Sequence, residues 1–128
     1  SFGLECISRG AKKITFVEKD KNVANVLIKN LLTLDIKKNA IVIVDEIKNF
    51  LEKSCSEKFE IIFLDPPFAD NSYILNLISK KENENYKKNH IVIIHRDIKS
   101  SDNLKDILYP IITKQYGRSK IIFGKFLR

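Results

Sequence analysis

The segment FEIIFLDPPF (59–68) joins an apolar run to residues that suit amine chemistry. The run is typical of a buried strand, and it ends on Asp65, two prolines and Phe68. Proline fixes φ, and Pro67 restricts Pro66 to an extended conformation, so we expect the Pro66 carbonyl to point outward beside the Asp65 carboxylate. Neither proline nitrogen carries a hydrogen, so the segment offers hydrogen-bond acceptors only.

Two fixed acceptors beside an aromatic ring suit a planar base that carries an amine. The amine donates its two N–H bonds to the Asp65 carboxylate and the Pro66 carbonyl, and the Phe68 ring stacks on the base. These hydrogen bonds favour the positive charge that develops on the amine nitrogen in a transition state. The structural alternative is a tight turn that ends a buried strand; the acid before the prolines and the aromatic after them favour a functional site.

Strand and helix patterns alternate along the chain. Three apolar runs, KITFVEKD (13–20), NAIVIVDE (39–46) and FEIIFLD (59–65), are each followed by apolar residues at helical spacing. A fourth strand, HIVIIH (90–95), follows a polar loop or helix end, KKENENYKKN (80–89), and precedes a capped short helix in SSDNLKDIL (100–108). The helical residues after the three runs are, in order, Val23, Val26, Leu27, Leu31 and Leu34, then Ile47, Phe50 and Leu51, then Ile74, Leu75 and Ile78.

Apolar strands separated by helices predict a mostly parallel sheet covered on both faces, in a three-layer α/β fold. The last segment, YPIITKQYGRSKIIFGKFLR (109–128), has two β-rich runs around Gly117, Arg118 and Ser119 and no room for a helix between them. This pattern predicts a hairpin that closes the sheet with an antiparallel pair. We expect a single domain over residues 1–128, since 128 residues with 44% hydrophobic content suit one core.

Ligands of open α/β sheets bind beyond the carboxyl ends of the strands. An acid after the second strand of a nucleotide-binding sheet typically accepts hydrogen bonds from ribose hydroxyls, and capping of the next helix is the alternative role. A lone His after a strand is usually a structural hydrogen-bonding residue, and an Arg at a hairpin tip suits either a phosphate or solvent. The residues predicted at the strand ends are Glu18, then Asp45 and Glu46, then Asp65, then His95, Arg96 and Asp97.

The net charge of +7 suits a polyanionic partner, although dispersed lysines also serve only to keep a surface solvated. Cys6 and Cys55 have no second Cys or His at metal-ligand spacing, so we expect buried or free thiols and not a zinc site or a disulfide. There is no apolar run of about 18 residues and no export leader, so we expect a cytoplasmic protein without a membrane span.

The sequence resembles the class I S-adenosylmethionine-dependent methyltransferases that methylate amines, whose signature is Asp or Asn, Pro, Pro, then Tyr or Phe. More narrowly, it resembles the RsmD family of bacterial 16S rRNA guanine-N2 methyltransferases. Three segments carry the resemblance: SFGLECISRGAKKITFVEKD (1–20), FEIIFLDPPF (59–68) and KQYGRSKIIFGKF (114–126). The resemblance implies a Rossmann-like fold, S-adenosylmethionine as methyl donor, 16S rRNA or the small ribosomal subunit as partner, a monomer, and no metal.

The resemblance also implies roles for particular residues. Gly3 corresponds to the last glycine of the cofactor loop, and Glu18 to the acid that holds the cofactor ribose. Glu46 falls where the family usually has Asp or Asn near the adenine, and the neighbouring Asp45 is the other candidate. The implied catalytic residues are Asp65, Pro66, Pro67 and Phe68; of these, Asp65, Pro66 and Phe68 receive the guanine amine and stack its ring. Asp65 is also implied to bind the cofactor.

Ser1 corresponds to a position of the family that follows the first strand and most of the cofactor loop. The resemblance therefore implies a chain without that strand. A sheet without its central strand exposes unpaired backbone edges. We therefore expect the 128-residue chain alone to be poorly stable or weakly active.

Two other functions stay open from the sequence. The same acceptor site would serve adenine N6 in DNA or a glutamine amide in a protein. The second is a non-catalytic RNA-binding or assembly factor with a decayed cofactor site, which predicts salt-dependent RNA binding without a methylated product.

Overall fold

A computed structural model describes residues 2–53, 57–65, 85–100, 104 and 106–127. The chain divides into two compact units, Ser1–Phe50 and Leu51–Arg128. The single domain expected from the sequence stays a prediction. Within the described residues, no helix is both long and apolar enough to span a membrane. The elements are α1 (Phe2–Ser8), β1 (Ile14–Glu18), α2 (Lys21–Thr33), a 3₁₀ turn (Lys37–Asn39), β2 (Ala40–Val44), α3 (Ile47–Glu52), β3 (Phe59–Leu64), β4 (Tyr86–Asp97), β5 (Leu108–Tyr116) and β6 (Ser119–Phe126).

The first unit contains a parallel strand pair, as the sequence predicts. β1 and β2 run in register from Ile14 opposite Ala40 to Glu18 opposite Val44. Helix α2 lies between the two strands in the chain, which is the βαβ order expected for parallel neighbours. The carboxyl ends of both strands therefore lie at the same edge of this pair.

Helix α2 begins at a strong cap and buries one face. The Asp20 carboxylate accepts hydrogen bonds from the backbone N–H groups of Asn22 at 2.8 Å and Val23 at 3.2 Å, which satisfies two of the unpaired donors of the first turn. Ala24 and Leu31, seven residues apart, are almost fully buried. Val23 is exposed, so the buried face is centred on Ala24 rather than on the valines of the apolar pattern.

Helix α1 ends in a Schellman motif at Gly10. Gly10 has a φ of 105°, which glycine adopts without steric cost. The N–H of Ala11 donates to the Cys6 carbonyl at 2.9 Å, and the N–H of Gly10 donates to the Ile7 carbonyl at 3.1 Å.

The second unit contains a four-stranded sheet in the order β3-β4-β6-β5. β3 and β4 are parallel, whereas β4 and β6, and β6 and β5, are antiparallel. The hairpin turn consists of Gly117 and Arg118, between the paired residues Tyr116 and Ser119. A positive φ of 57° at Gly117, the first central residue, is the pattern of a type II′ turn. The predicted closing hairpin is confirmed.

One face of this sheet forms the core of the second unit. Val92 and Ile94 on β4 are almost completely buried, and they lie opposite Gly124 and Ile122 on β6. Leu108 on β5 is buried opposite Phe126. Because alternate residues of a strand point to opposite faces, His95 lies on the other face.

Three boundary predictions are wrong. Residues 86–89, expected in a loop, begin β4, where Tyr86 pairs with Phe59 of β3. Residues 96 and 97, expected after the fourth strand, belong to β4 because they pair with residues 120 and 119 of β6. Leu108, expected in a helix, begins β5 because it pairs with Phe126. The helix predicted around residues 74–78 lies outside the described residues.

Candidate active site

Asp65 lies directly after β3, at its carboxyl end, as the sequence predicts. Its side chain is 61% exposed, so the carboxylate is open to a ligand from solvent. Leu64, the last residue of β3, is paired with Ile94 of β4. This parallel register brings the residues that follow, Asp65 and His95, side by side.

The His95 ring connects Asp65 to the hairpin. Its Nδ1 atom lies 3.0 Å from Oδ1 of Asp65, and its Nε2 atom lies 2.9 Å from Oγ of Ser119. The three side chains come from β4, the end of β3 and the start of β6, so one hydrogen-bonded chain ties three neighbouring strands together. The His95 side chain is 36% exposed, and its contact with Ser119 is partly buried.

The protonation of this chain follows from its acceptors. An ionised carboxylate only accepts hydrogen bonds, so Nδ1 of His95 carries the hydrogen shared with Asp65. In a neutral imidazole, Nε2 is then an acceptor and receives the hydroxyl hydrogen of Ser119. In an imidazolium, Nε2 donates to the same hydroxyl oxygen. Ser119 therefore accommodates either state without movement of the ring.

The contact between Asp65 and His95 is not among the predictions from the sequence, although both residues are predicted at strand ends. The available signal was their equivalent position in two parallel strand patterns. Asp65 follows EIIFL, and His95 follows HIVII, so an in-register parallel pair places them together. The role of Ser119 depends on the exact hairpin register, for which the sequence had no comparable signal.

The first unit also collects acids at a strand edge. Glu18 and Asp45 lie at the carboxyl ends of the parallel strands β1 and β2, and the Asp45 N–H donates to the Glu18 carbonyl at 3.0 Å. Oε2 of Glu18 accepts the Asp20 N–H at 3.1 Å, which orients the carboxylate at this edge. The two residues predicted near a cofactor ribose and adenine therefore lie next to each other.

Asp45 and Glu46 differ in what their side chains do. Oδ1 of Asp45 accepts the Glu46 N–H at 2.8 Å and the side-chain amide of Asn49 at 3.0 Å. Asp45 thus contacts the start of α3 through the backbone of Glu46 and the side chain of Asn49. The Glu46 side chain is exposed, and its backbone carbonyl accepts the Phe50 N–H at 3.1 Å.

Gly3 lies in the first turn of α1, where the chain passes close to β1. A Cβ atom at this position would lie 2.3 Å from Cε1 of Phe16, far inside van der Waals contact. Only glycine therefore permits this approach of helix and strand. The last glycine of a nucleotide-binding loop permits close helix–strand packing of this kind, and the assignment of Gly3 to that position stays a prediction.

The rest of the predicted acceptor motif, Pro66, Pro67 and Phe68, lies outside the described residues, and so does Cys55. Their predicted roles stay predictions. Arg96 is buried, with 4% of its surface exposed, so it belongs to the covered face of the sheet and not to the open edge. Arg118 is exposed in the hairpin turn.

Cys6 is a free thiol in helix α1. Its pKa is raised, mainly by partial burial and also by the neighbouring Glu5 carboxylate, against the opposing charge of Arg9. A raised pKa means little thiolate near neutral pH, so this cysteine is a poor nucleophile.

A family model described as conserved hypothetical protein 95 matches residues 1–125. Ribosomal RNA small subunit methyltransferase D of Haemophilus influenzae is 36% identical over 99 residues, which are 76% of this chain and 51% of the relative. The protein of the same name from Buchnera aphidicola is 33% identical over 100 residues, which are 77% of this chain and 51% of the relative. The chain thus spans about half the length of these curated relatives.

Solved structures confirm the predicted fold class. A candidate methylase from Haemophilus influenzae is 32% identical, with a TM-score of 0.80 over 98% of this chain and 80% of its own. A candidate methyltransferase from Escherichia coli is 26% identical, with a TM-score of 0.78 over 98% of this chain and 68% of its own. The described strands and helices belong to a Rossmann-like class I methyltransferase fold.

Proposed function

Since the chain belongs to the family described as conserved hypothetical protein 95, the RsmD family, we propose that its protein transfers a methyl group from S-adenosylmethionine to the exocyclic N2 amine of a guanine in 16S rRNA. The observation that carries this proposal is the Asp65 carboxylate. It stands exposed at the carboxyl end of β3, is held through Oδ1 by His95, and begins the sequence Asp-Pro-Pro-Phe.

The chemistry asks little of the protein except alignment. The lone pair of an exocyclic amine is delocalised into the base, so the amine is a weak nucleophile. Asp65 accepts one N–H of the amine and the Pro66 carbonyl accepts the other, which favours charge on nitrogen in the transition state. Phe68 stacks on the base and fixes the angle of approach.

S-adenosylmethionine, when bound, supplies a methyl group already activated by the positive sulfur. The residues of the first unit fit such a ligand. Gly3 permits the close approach of α1 to β1, and the Glu18 carboxylate at the end of β1 suits ribose hydroxyls. We assign the adenine contact to the Asp45–Glu46 pair. Within it, Glu46 has the exposed side chain, whereas Asp45 contacts the start of α3.

An rRNA substrate is supported by the names of the relatives and by the charge of the chain. Both relatives are called ribosomal RNA small subunit methyltransferase D. The net charge of +7 suits the phosphate backbone of RNA, whatever its sequence. An adenine N6 or a glutamine amide would fit the same acceptors, but neither has comparable support.

The test is to identify the methylated nucleoside. The protein expressed from its complete reading frame is incubated with labelled S-adenosylmethionine and small ribosomal subunits that lack the modification. The RNA is then digested to nucleosides and separated. We expect the label in N2-methylguanosine.

Three other outcomes would contradict the proposal in different ways. Label in N6-methyladenine of added DNA, or in protein glutamine, would keep the amine chemistry and reject the substrate. RNA binding that weakens steeply with salt, without label in any fraction, would reject catalysis and favour an assembly factor.

A further inference from the structure

We propose that His95 is a positioning residue for the Asp65 carboxylate, and that Ser119 fixes the His95 ring in the orientation this requires. The inference rests on the proposed function of Asp65 and adds two residues to it. Its basis is the hydrogen-bonded chain from Oδ1 of Asp65 through both ring nitrogens of His95 to Oγ of Ser119, with separations of 3.0 and 2.9 Å.

A carboxylate at this place needs to be held. Asp65 follows the last paired residue of β3, and its side chain is 61% exposed. The terminal torsion of an aspartate is broad, so an exposed carboxylate rotates readily. A hydrogen bond from Nδ1 of His95 to Oδ1 restricts this rotation and leaves Oδ2 to receive the substrate amine. Misplacement of a reacting group by about 1 Å can lower a rate about 100-fold, so this restraint matters.

The sheet register makes the restraint rigid. His95 is paired with Ile121 of β6, and Ser119 lies two residues before Ile121 on the same face. Ser119 itself pairs with Asp97 of β4 and Tyr116 of β5, so strand pairing fixes its backbone on both sides. The ring of His95 is therefore anchored to the sheet at Nε2 while Nδ1 holds the carboxylate.

The same geometry argues against two other roles. A general base needs a ring nitrogen within reach of the proton it removes. Both nitrogens of His95 are engaged, so we assign it to act through Asp65 and not on the amine.

A serine nucleophile needs an oxyanion hole, usually built from free backbone N–H groups. Ser119 instead lies in a regular part of the β-ladder, which favours an anchoring role.

Three substitutions separate the two contacts of His95. His95→Ala removes both. In His95→Asn, the amide nitrogen takes the approximate place of Nδ1 and can still donate to Asp65. In His95→Gln, the amide nitrogen takes the approximate place of Nε2 and keeps only the contact with Ser119. Each variant is made in the protein from the complete reading frame, and its folding is checked by thermal unfolding.

Methyl transfer to small-subunit RNA is the first readout. We expect kcat of His95→Ala to fall about 10- to 100-fold, with KM for S-adenosylmethionine within about twofold of the unaltered protein. His95→Asn should recover most of the lost rate, and His95→Gln should not. Equal rates in the Asn and Gln variants, or recovery by Gln alone, would overturn the proposal.

The second readout does not depend on activity. In protein labelled with ¹⁵N-histidine, we expect the His95 signals to show a hydrogen-bonded, protonated Nδ1, and Asp65→Ala to shift that signal. The chain has only two histidines, so His95→Asn assigns the resonance. An unprotonated Nδ1, or a signal that ignores Asp65→Ala, would overturn the proposal.

The failure of this inference and the failure of the proposed function look different. If the unaltered protein methylates guanine N2 and His95→Ala is equally fast, the positioning role alone is rejected. If the unaltered protein gives no methylated nucleoside, the proposed function is rejected, and the positioning role is rejected with it.

Discussion

The two histidines of the chain lie on the same strand, but one is buried against backbone groups and the other contacts an exposed carboxylate. His90, near the start of β4, is 3% exposed. Its Nε2 atom accepts the Phe126 N–H at 3.0 Å, and its Nδ1 atom lies 2.7 Å from the Lys87 carbonyl. His95, near the other end, has the more exposed ring and contacts an exposed carboxylate.

The partners of each ring explain the difference. His90 satisfies two backbone groups and packs against the rings of Tyr86 and Phe126, with ring centroids 4.4 and 5.5 Å away. It lies in an irregular part of β4, where the register with β3 shifts between Phe59 and Ile61. His95 satisfies side chains at a ligand-accessible edge. One strand thus has a histidine that stabilises the fold at one end and a histidine that serves a site at the other.

The largest effect is expected from Asp65→Ala, which removes the carboxylate acceptor at the carboxyl end of β3. We expect kcat for guanine methylation to fall about 100- to 1,000-fold, as for loss of one preorganised group that stabilises a transition state. Asp65→Asn keeps an acceptor oxygen, and the family signature allows Asn, so it should retain part of the rate. Steady-state kinetics on small-subunit RNA checks both.

The matched control for Asp65 is Glu60→Ala, which removes an exposed acid of the same strand at its other end. Its rate should equal that of the unaltered protein. A loss of rate similar to that of Asp65→Ala would show that any acid on β3 matters and would contradict the special role of the carboxyl end.

The second largest effect is expected from His90→Ala. The substitution leaves the buried Phe126 N–H and the Lys87 carbonyl without the His90 ring as partner and removes a ring that packs against both Tyr86 and Phe126. We expect the free energy of unfolding to fall by about 2–4 kcal/mol. Denaturant unfolding measures it, with His95→Ala as the control, which should change the free energy by less than about 1 kcal/mol. Equal losses would remove the distinction between the two histidines.

A smaller effect is expected from Ser119→Ala, which frees Nε2 of His95 but keeps the contact with Asp65. Since one of two restraints is lost, we expect kcat to fall about 2- to 10-fold, less than for His95→Ala. Ser119→Thr keeps the hydroxyl and should restore the rate. If Ser119→Ala were slower than His95→Ala, Ser119 would have a role of its own.

The smallest effect concerns the ion pair between Glu60 on β3 and Lys87 near the start of β4, in which Nζ of Lys87 lies 2.8 Å from Oε2 of Glu60. The hydrogen bond and the charge of Lys87 lower the pKa of Glu60. Because the folded-state pKa is the lower one, the stabilisation is complete above the ordinary Glu pKa of 4.5 and is lost as the pH falls through the folded-state value.

Unfolding of Lys87→Ala measured from pH 7 to pH 3 tests this pair. Both side chains are more than half exposed, so the difference from the unaltered protein should be slight at pH 7 and smaller still at pH 3. A difference that grows towards low pH would contradict the sign of the pKa shift.

The order of these elements was predictable because each of them has a local signal. In the first unit, Asp20 before an apolar helical repeat marks the start of α2, and Gly10 marks the end of α1. In the second unit, the turn at Gly117 marks the hairpin. The strand ends were less predictable, because their limits depend on partners distant in sequence. Lys87 and Asn89 resemble loop residues, yet they continue β4.

The candidate site, like the fold, was predictable only where a residue has a local sequence signal. Asp65 stood out because an acid and two prolines after an apolar run have a chemical meaning by themselves. His95 and Ser119 have none until the sheet register brings them together, 24 residues apart in the chain. His90 shows the reverse case, since its sequence context resembles that of His95 and only its burial distinguishes it.

The most direct test of this division is the single-turnover rate of methyl transfer for His90→Ala and His95→Ala, at a temperature where both variants are folded. We predict that His90→Ala transfers the methyl group at the rate of the unaltered protein, and that His95→Ala is at least about 10-fold slower. Equal rates in the two variants, or a slower rate in His90→Ala, would contradict the assignment of one end of β4 to stability and the other to catalysis.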